Sequence, residues 1–134
     1  KDEINSDKSP EFIKSITDVL NISNKKQYWT EGTEFRIETP TRKYNKTELV
    51  KMYLEHGGTV EYLNLTVSCY SESVKHCGSC PSCFKRYVAF KNNDIPFETL
   101  NNPVEWAKSN GIIEKCNDGT YPEGRSLEIL SAVN

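Results

Sequence analysis

The stretch Cys69-Tyr70-Ser71-Glu72-Ser73-Val74-Lys75-His76-Cys77-Gly78-Ser79-Cys80-Pro81-Ser82-Cys83 decides how this chain is organised. It holds four of the chain's five cysteines, three of them in a C-x-x-C-x-x-C run. A two-residue gap lets neighbouring thiolates turn toward one point, so Cys77, Cys80 and Cys83 form three corners of a tetrahedron. Cys69 supplies the fourth by folding back across a short loop. Zinc in a structural role takes four thiolates at about 2.3 Å. Gly78 suits the tight turn between the first two ligands, and Pro81 stiffens the second. Soft thiolates select zinc or an iron–sulfur cluster over a hard, oxygen-seeking cation. Ferredoxin-type clusters use the same run with a fourth cysteine from elsewhere, and a disulfide pair or free thiols is the plainer alternative. A four-cysteine zinc knuckle is the expectation, with His76 as an outside candidate for a ligand.

Composition narrows the class. The chain has 134 residues, 36% hydrophobic and 27% charged, with a formal net charge of −2. That suits one globular domain with a modest core, or one domain plus a short appendage. The balance of charge gives no case for nucleic acid, whose partners show a strongly basic face. No apolar run approaches the ~20 residues that cross a bilayer, and no signal peptide opens the sequence. Clustered C-x-x-C cysteines then point to a reducing, cytoplasmic setting and to metal in place of disulfides.

Taken in order, residues 1–8 read as a polar loop. Ser9-Pro10-Glu11 is a helix start: a capping hydroxyl, a proline at the first position and an acid at the positive end of the dipole. Phe12, Ile13, Ile16, Val19 and Leu20 follow at helical spacing, which predicts a helix over 9–21 with this stripe on a core. Glu34-Phe35-Arg36-Ile37-Glu38-Thr39 alternates polar and apolar as a half-buried strand does, and Pro40 ends it. Asn45 with Glu48 three residues on forms a capping box for a helix over 45–56, closed by Gly57-Gly58. Thr59 to Leu65 leads into the knuckle through a short turn that presents Cys69. Phe84, Tyr87, Val88 and Phe90 predict a helix over 83–92 that starts within the knuckle itself. Beyond it, Asn102-Pro103 and Gly124-Arg125 open two more helices, Ile112 and Ile113 pack inward, and Asp118-Gly119 marks a tight turn. Cys116, surrounded by polar residues, reads as a bystander.

Two basic residues stand out. Lys46 lies in the first turn of its helix, where the dipole disfavours a cation, so the placement calls for a compensating benefit or is that of a solvated lysine. Arg86, three residues past Cys83, either offsets the negative charge of a metal held by four thiolates or reaches a ligand's carboxylate or phosphate.

Three ordered blocks carry a resemblance. Ser68-Cys69-Tyr70, Cys77-Gly78-x-Cys80-x-x-Cys83 and Arg86 form one. Phe35-Arg36-Ile37-Glu38-Thr39-Pro40 with Asn45-Lys46-Thr47-Glu48 forms the second, and Asp7 with Glu11-Phe12-Ile13 the third. Over residues 1 to about 93 the chain resembles the C-terminal half of the 7-cyano-7-deazaguanine synthases, zinc enzymes of the PP-loop ATP pyrophosphatase superfamily. The family's Tyr-Pro-Asp-Cys-Arg-like segment is reduced here to Asp7, because Lys8 and Ser9 stand where it has Cys and Arg.

The resemblance implies an α/β fold: the C-terminal part of a Rossmann-like PP-loop fold, mostly helical here with one or two strands and the zinc knuckle. It implies a substrate-side and zinc-binding region over 1–93, with 94–134 a helical C-terminal extension. Asp7, Lys46 and Arg86 become the residues nearest a deazapurine substrate, and Cys69, Cys77, Cys80 and Cys83 the zinc ligands. The family's reaction activates 7-carboxy-7-deazaguanine with ATP and uses ammonia to reach the nitrile. The Ser-Gly-Gly-x-Asp-Ser loop that cradles pyrophosphate does not occur in the 134 residues. The expected partner is therefore a nucleotide-binding half, upstream or on another chain, in an enzyme that forms a homodimer. A zinc-stabilised protein-binding module without catalysis is the competing class.

Overall fold

The computed structural model describes residues 9–134, and Asp7 lies outside the described residues. The chain divides after Pro40 into two compact units. Seven helices form among the described residues: α1 (Pro10–Ser23), α2 (Lys46–Glu55), α3 (Val60–Leu65), α4 (Pro81–Lys91), α5 (Pro103–Ser109), α6 (Ile112–Asn117) and α7 (Glu123–Val133). None is long and apolar enough to cross a membrane.

The first unit is built on α1. Ser9 accepts the Phe12 amide at 3.0 Å and Pro10 takes the first helical position, so the start signal works as its chemistry requires. The apolar stripe does not reach a core, however. No residue of α1 is buried, and Phe12, Ile16 and Val19 are 40, 37 and 61% exposed. Helical spacing fixes which residues share a face but not whether anything covers it. The expected strand over 34–39 is also absent: this segment runs without a ladder. A strand needs a neighbour to bond its amides and carbonyls, and the neighbour Phe35 finds is a side chain. Asn21 accepts the Phe35 amide at 2.6 Å and donates to its carbonyl at 3.0 Å. The isolated β-bridge between Gln27 and Thr30 closes a tight reversal that leaves Tyr28 and Trp29 exposed.

The second unit carries the core. α2 begins with the full capping box: Asn45 accepts the Glu48 amide and Glu48 accepts the Asn45 amide, both at 2.8 Å. Gly57, at φ +87°, turns the chain out of the helix. The segment read as a short turn is instead the six-residue helix α3, capped by Thr59. At that length an apolar period has no room to repeat, and only the Thr59 cap signals it. Phe84 and Val88 of α4 meet Ala107 of α5, Cys116 of α6, and Ile129 and Ala132 of α7 in one buried cluster. Tyr87, Trp106, Ile112 and Ile113 pack around it. Cys116, read as a bystander, is a core residue; burial pushes its thiol above the usual range. α4 spans this unit: its first turn holds cysteines, and the residues just past its far end bond to α2 and α7.

Candidate metal centre

The knuckle assembles from three local devices. Cys80 caps α4, its sulfur accepting the Cys83 amide at 3.4 Å, so helix and metal site begin at the same residue. The Cys77 sulfur accepts the Ser79 amide at 3.4 Å, and the Cys69 sulfur accepts the Ser71 amide at 3.4 Å. Such N–H to sulfur bonds favour thiolate over thiol. Gly78 sits at φ +72°, where a Cβ would lie 1.8 Å from the Asn101 carbonyl oxygen. Only glycine lets the chain turn there and still meet residues 100–101. Asn101 seals this approach, donating from its backbone amide at 3.0 Å and from Nδ2 at 2.8 Å to the Cys77 carbonyl.

The sulfur atoms of Cys69, Cys77, Cys80 and Cys83 all lie within 4.8 Å of one another, and those of Cys77 and Cys83 are 3.8 Å apart. Four thiolates 2.3 Å from a central ion sit about 3.8 Å apart by tetrahedral geometry. The donor set, its spacing and its closure on four sides fit one soft ion with no open position. The electrostatics agree. The Ser71 hydroxyl, ahead of the Cys77 and Ser71 amides, pulls the Cys69 thiol down to about 5. Burial pushes Cys83, which is fully buried, up to about 12. A divalent ion offsets that cost, since metal binding deprotonates its thiol ligands.

His76 stays out of the ligand set. Its Nε2 accepts the Ser68 amide at 3.2 Å, and its ring stands edge-on to Phe97 with centroids 5.1 Å apart. Burial, then the charge of Arg86, lowers its pKa, which suits a neutral acceptor.

Arg86 is 6% exposed. Its Nη1 donates to Thr66 Oγ1 at 2.8 Å and Ser68 Oγ at 3.2 Å, and its Nη2 to the Leu63 carbonyl at 2.7 Å. The guanidinium lies over Phe90 at 4.3 Å and Phe97 at 5.5 Å. All three acceptors belong to the segment that ends at Cys69. Nε is a buried polar atom without a partner. Burial lowers the arginine's pKa, and Cys83 works against that shift.

Lys46 is the first residue of α2. Partial desolvation, then repulsion from Lys85, Arg86 and Arg125, lowers its pKa. The lysine thus stands in a positive field at a helix N-terminus, where amide groups already favour an anion. Sequence reasoning passed over Thr66, Ser71 and Asn101 around the knuckle. Hydroxyls and amides two or more residues from a cysteine carry no motif, and their partners lie up to 24 positions away.

The family model described as "Queuosine biosynthesis protein QueC" matches residues 3–94. The chain belongs to the QueC family. Over 88 residues it is 38% identical to the 7-cyano-7-deazaguanine synthase of Rickettsia canadensis, covering 64% of this chain and 37% of the relative. The enzyme of that name from Methanobrevibacter smithii is 36% identical over 89 residues, 66% of this chain and 35% of its own length. That from Saccharolobus solfataricus is 33% identical over 105 residues, 77% of this chain and 21% of the relative. The chain therefore spans between about a fifth and somewhat over a third of the length of these QueC-family relatives. No solved structure matches it.

Proposed function

We propose that this chain is the substrate-side and metal-side part of an ATP-dependent synthase that turns 7-carboxy-7-deazaguanine and ammonia into 7-cyano-7-deazaguanine. The observation that carries the reading is a QueC-family match that runs through the four clustered cysteines. A carboxylate resists nucleophiles because its charge and resonance repel them. Adenylation replaces a poor oxide leaving group with a phosphate ester and releases pyrophosphate; ammonia then displaces AMP to give the amide. A second adenylation, on the amide oxygen, lets AMP leave with loss of a proton to form the nitrile. We assign the nucleotide chemistry to a Rossmann-like PP-loop half supplied outside these 134 residues.

Within the chain, the four cysteines hold zinc as a structural ion and take no part in bond making. In small modules such an ion contributes on the order of 10 kcal/mol or more to folding. Lys46 is the residue we place nearest the ligand's anionic groups, supported by its place at the head of α2 and its cationic surroundings. Asp7, which lies outside the described residues, we assign to the substrate on the family resemblance alone. Arg86 keeps its place beside the site, and we assign its effect to holding the wall, because both amino groups are engaged with Leu63, Thr66 and Ser68. The test is to join this chain with its nucleotide-binding half, supply the carboxylate, ATP and ammonia, and follow nitrile and AMP. Failure of the joined protein to bind nucleotide would end the enzyme reading in favour of a zinc-stabilised binding module.

A further inference from the structure

The head of α2 is fastened from α7 and from the residues that follow α4. Thr47, the residue after Lys46, donates its hydroxyl to the Glu128 carboxylate of α7 at 2.5 Å. Asn93, just past α4, donates from Nδ2 to the Thr47 carbonyl at 3.1 Å and to the Ala89 carbonyl at 2.8 Å. Its neighbour Asn92 donates to the Glu128 carbonyl at 2.8 Å. These four bonds are part-buried. A short bond from hydroxyl to carboxylate is among the stronger hydrogen bonds a protein makes. The result is a three-helix junction that sets the backbone position of Lys46. Glu128 lies 34 residues past the end of the QueC-family match at residue 94, so nothing about that match gives α7 a role.

We propose that Glu128 is a positioning residue for Lys46: by holding Thr47, α7 fixes the first turn of α2 so that the lysine presents its charge to an anionic group of the ligand. The proposal rests on the reading of Lys46 as the ligand-facing lysine. α7 also brings Arg125 into the same field, so the C-terminal segment shapes the seat in two ways, one geometric and one electrostatic. A carboxylate beside an anion seat is itself unfavourable by charge. Its retention there makes sense if the bond to Thr47 is worth more to the site than the negative charge costs.

The two effects separate cleanly. Glu128→Gln and Glu128→Ala remove the same charge, but only glutamine keeps an oxygen for the Thr47 hydroxyl. Thr47→Val removes the bond and leaves the charge. Inorganic pyrophosphate is titrated into the zinc-loaded chain, and the amide shifts of Lys46, Thr47 and Glu48 are followed by NMR, with zinc content and melting temperature measured alongside. The expected result is that Glu128→Ala binds about threefold to tenfold more weakly than Glu128→Gln, the range a hydrogen bond between neutral groups supports. Thr47→Val should weaken binding by at least that factor relative to the parent, because the bond it removes ends on a carboxylate, while Thr47→Ser restores it. If Glu128→Ala binds like Glu128→Gln and Thr47→Val like the parent, the positioning role is overturned and the assignment of Lys46 stands. If the parent shows no shift at Lys46, or Lys46→Met binds equally well, the Lys46 assignment falls and takes the positioning role with it. Thr47→Val leaves α7 untouched, so a fold defect in the Glu128 variants does not decide the question.

Discussion

Arg86 on α4 donates to Ser68 Oγ at 3.2 Å, and Ser68 is the residue immediately before Cys69. The helix that carries Cys83 is thereby tied to the segment that delivers the remote ligand. Together with the Ser68 amide bond to His76 Nε2, that tie shares with the metal the backbone entropy of ordering the segment, about 1–2 kcal/mol per residue.

Replacing Arg86 tests this strut. Arg86→Met should leave the Leu63 carbonyl and the Thr66 and Ser68 hydroxyls without their donor, at a cost of about 3 kcal/mol in stability. Arg86→Lys should recover only part of it, since an ammonium lacks the planar fork that reaches three acceptors. Chelator titration monitored by a zinc-sensitive dye should show the Met variant releasing metal first. Metal retention equal to the parent's in the Met variant would rule out the strut.

Cysteine alkylation should count the ligands. In the zinc-loaded chain none of the five cysteines should react quickly: four are ligated, and Cys116 is buried in the core. A strong chelator should expose four sites on Cys69, Cys77, Cys80 and Cys83, while Cys116 reacts only on global unfolding. Mass spectrometry of alkylated peptides reads this directly, and a fast-reacting Cys116 in the folded chain would contradict its place in the core.

Gly78→Ala should be among the most damaging small substitutions. The residue sits at φ +72°, and a Cβ would press against the Asn101 carbonyl. The conformation alone costs roughly 1–2 kcal/mol for a residue with a Cβ, and the clash with backbone adds to it. Zinc affinity and melting temperature should fall together; a variant that keeps both would show that residues 100–101 do not seal the knuckle.

Asn45→Ala should lower stability by about 1 kcal/mol, the usual worth of a helix cap, because the Glu48 amide loses its acceptor. Asn45→Ser should retain most of it. Denaturant midpoints measured on both variants decide the point, with the slope expected to stay constant.

Local chemistry made much of this protein legible in its sequence. The caps at Ser9 and Asn45, the proline after Ser9 and the spacing of the C-x-x-C-x-x-C run each act within a few residues of themselves, so they can be read without the rest of the chain. Spacing put Cys77, Cys80 and Cys83 within reach of one point, and tertiary bonds of Asn101 with Cys77 and of Arg86 and His76 with Ser68 hold the turn and the segment that brings Cys69. Other features needed the tertiary structure. The alternating segment at 34–39 lacked a ladder and found the Asn21 amide, since a strand is a property of two segments. Cys116 looked polar by its neighbours in sequence and is buried by its neighbours in space. The fastening of Thr47 by Glu128 spans 81 positions, and no local signal announces a pairing of that range. Helix caps and metal spacings are short-range energies written into adjacent residues; which face is covered, and which distant acid meets which hydroxyl, is settled only when the helices pack.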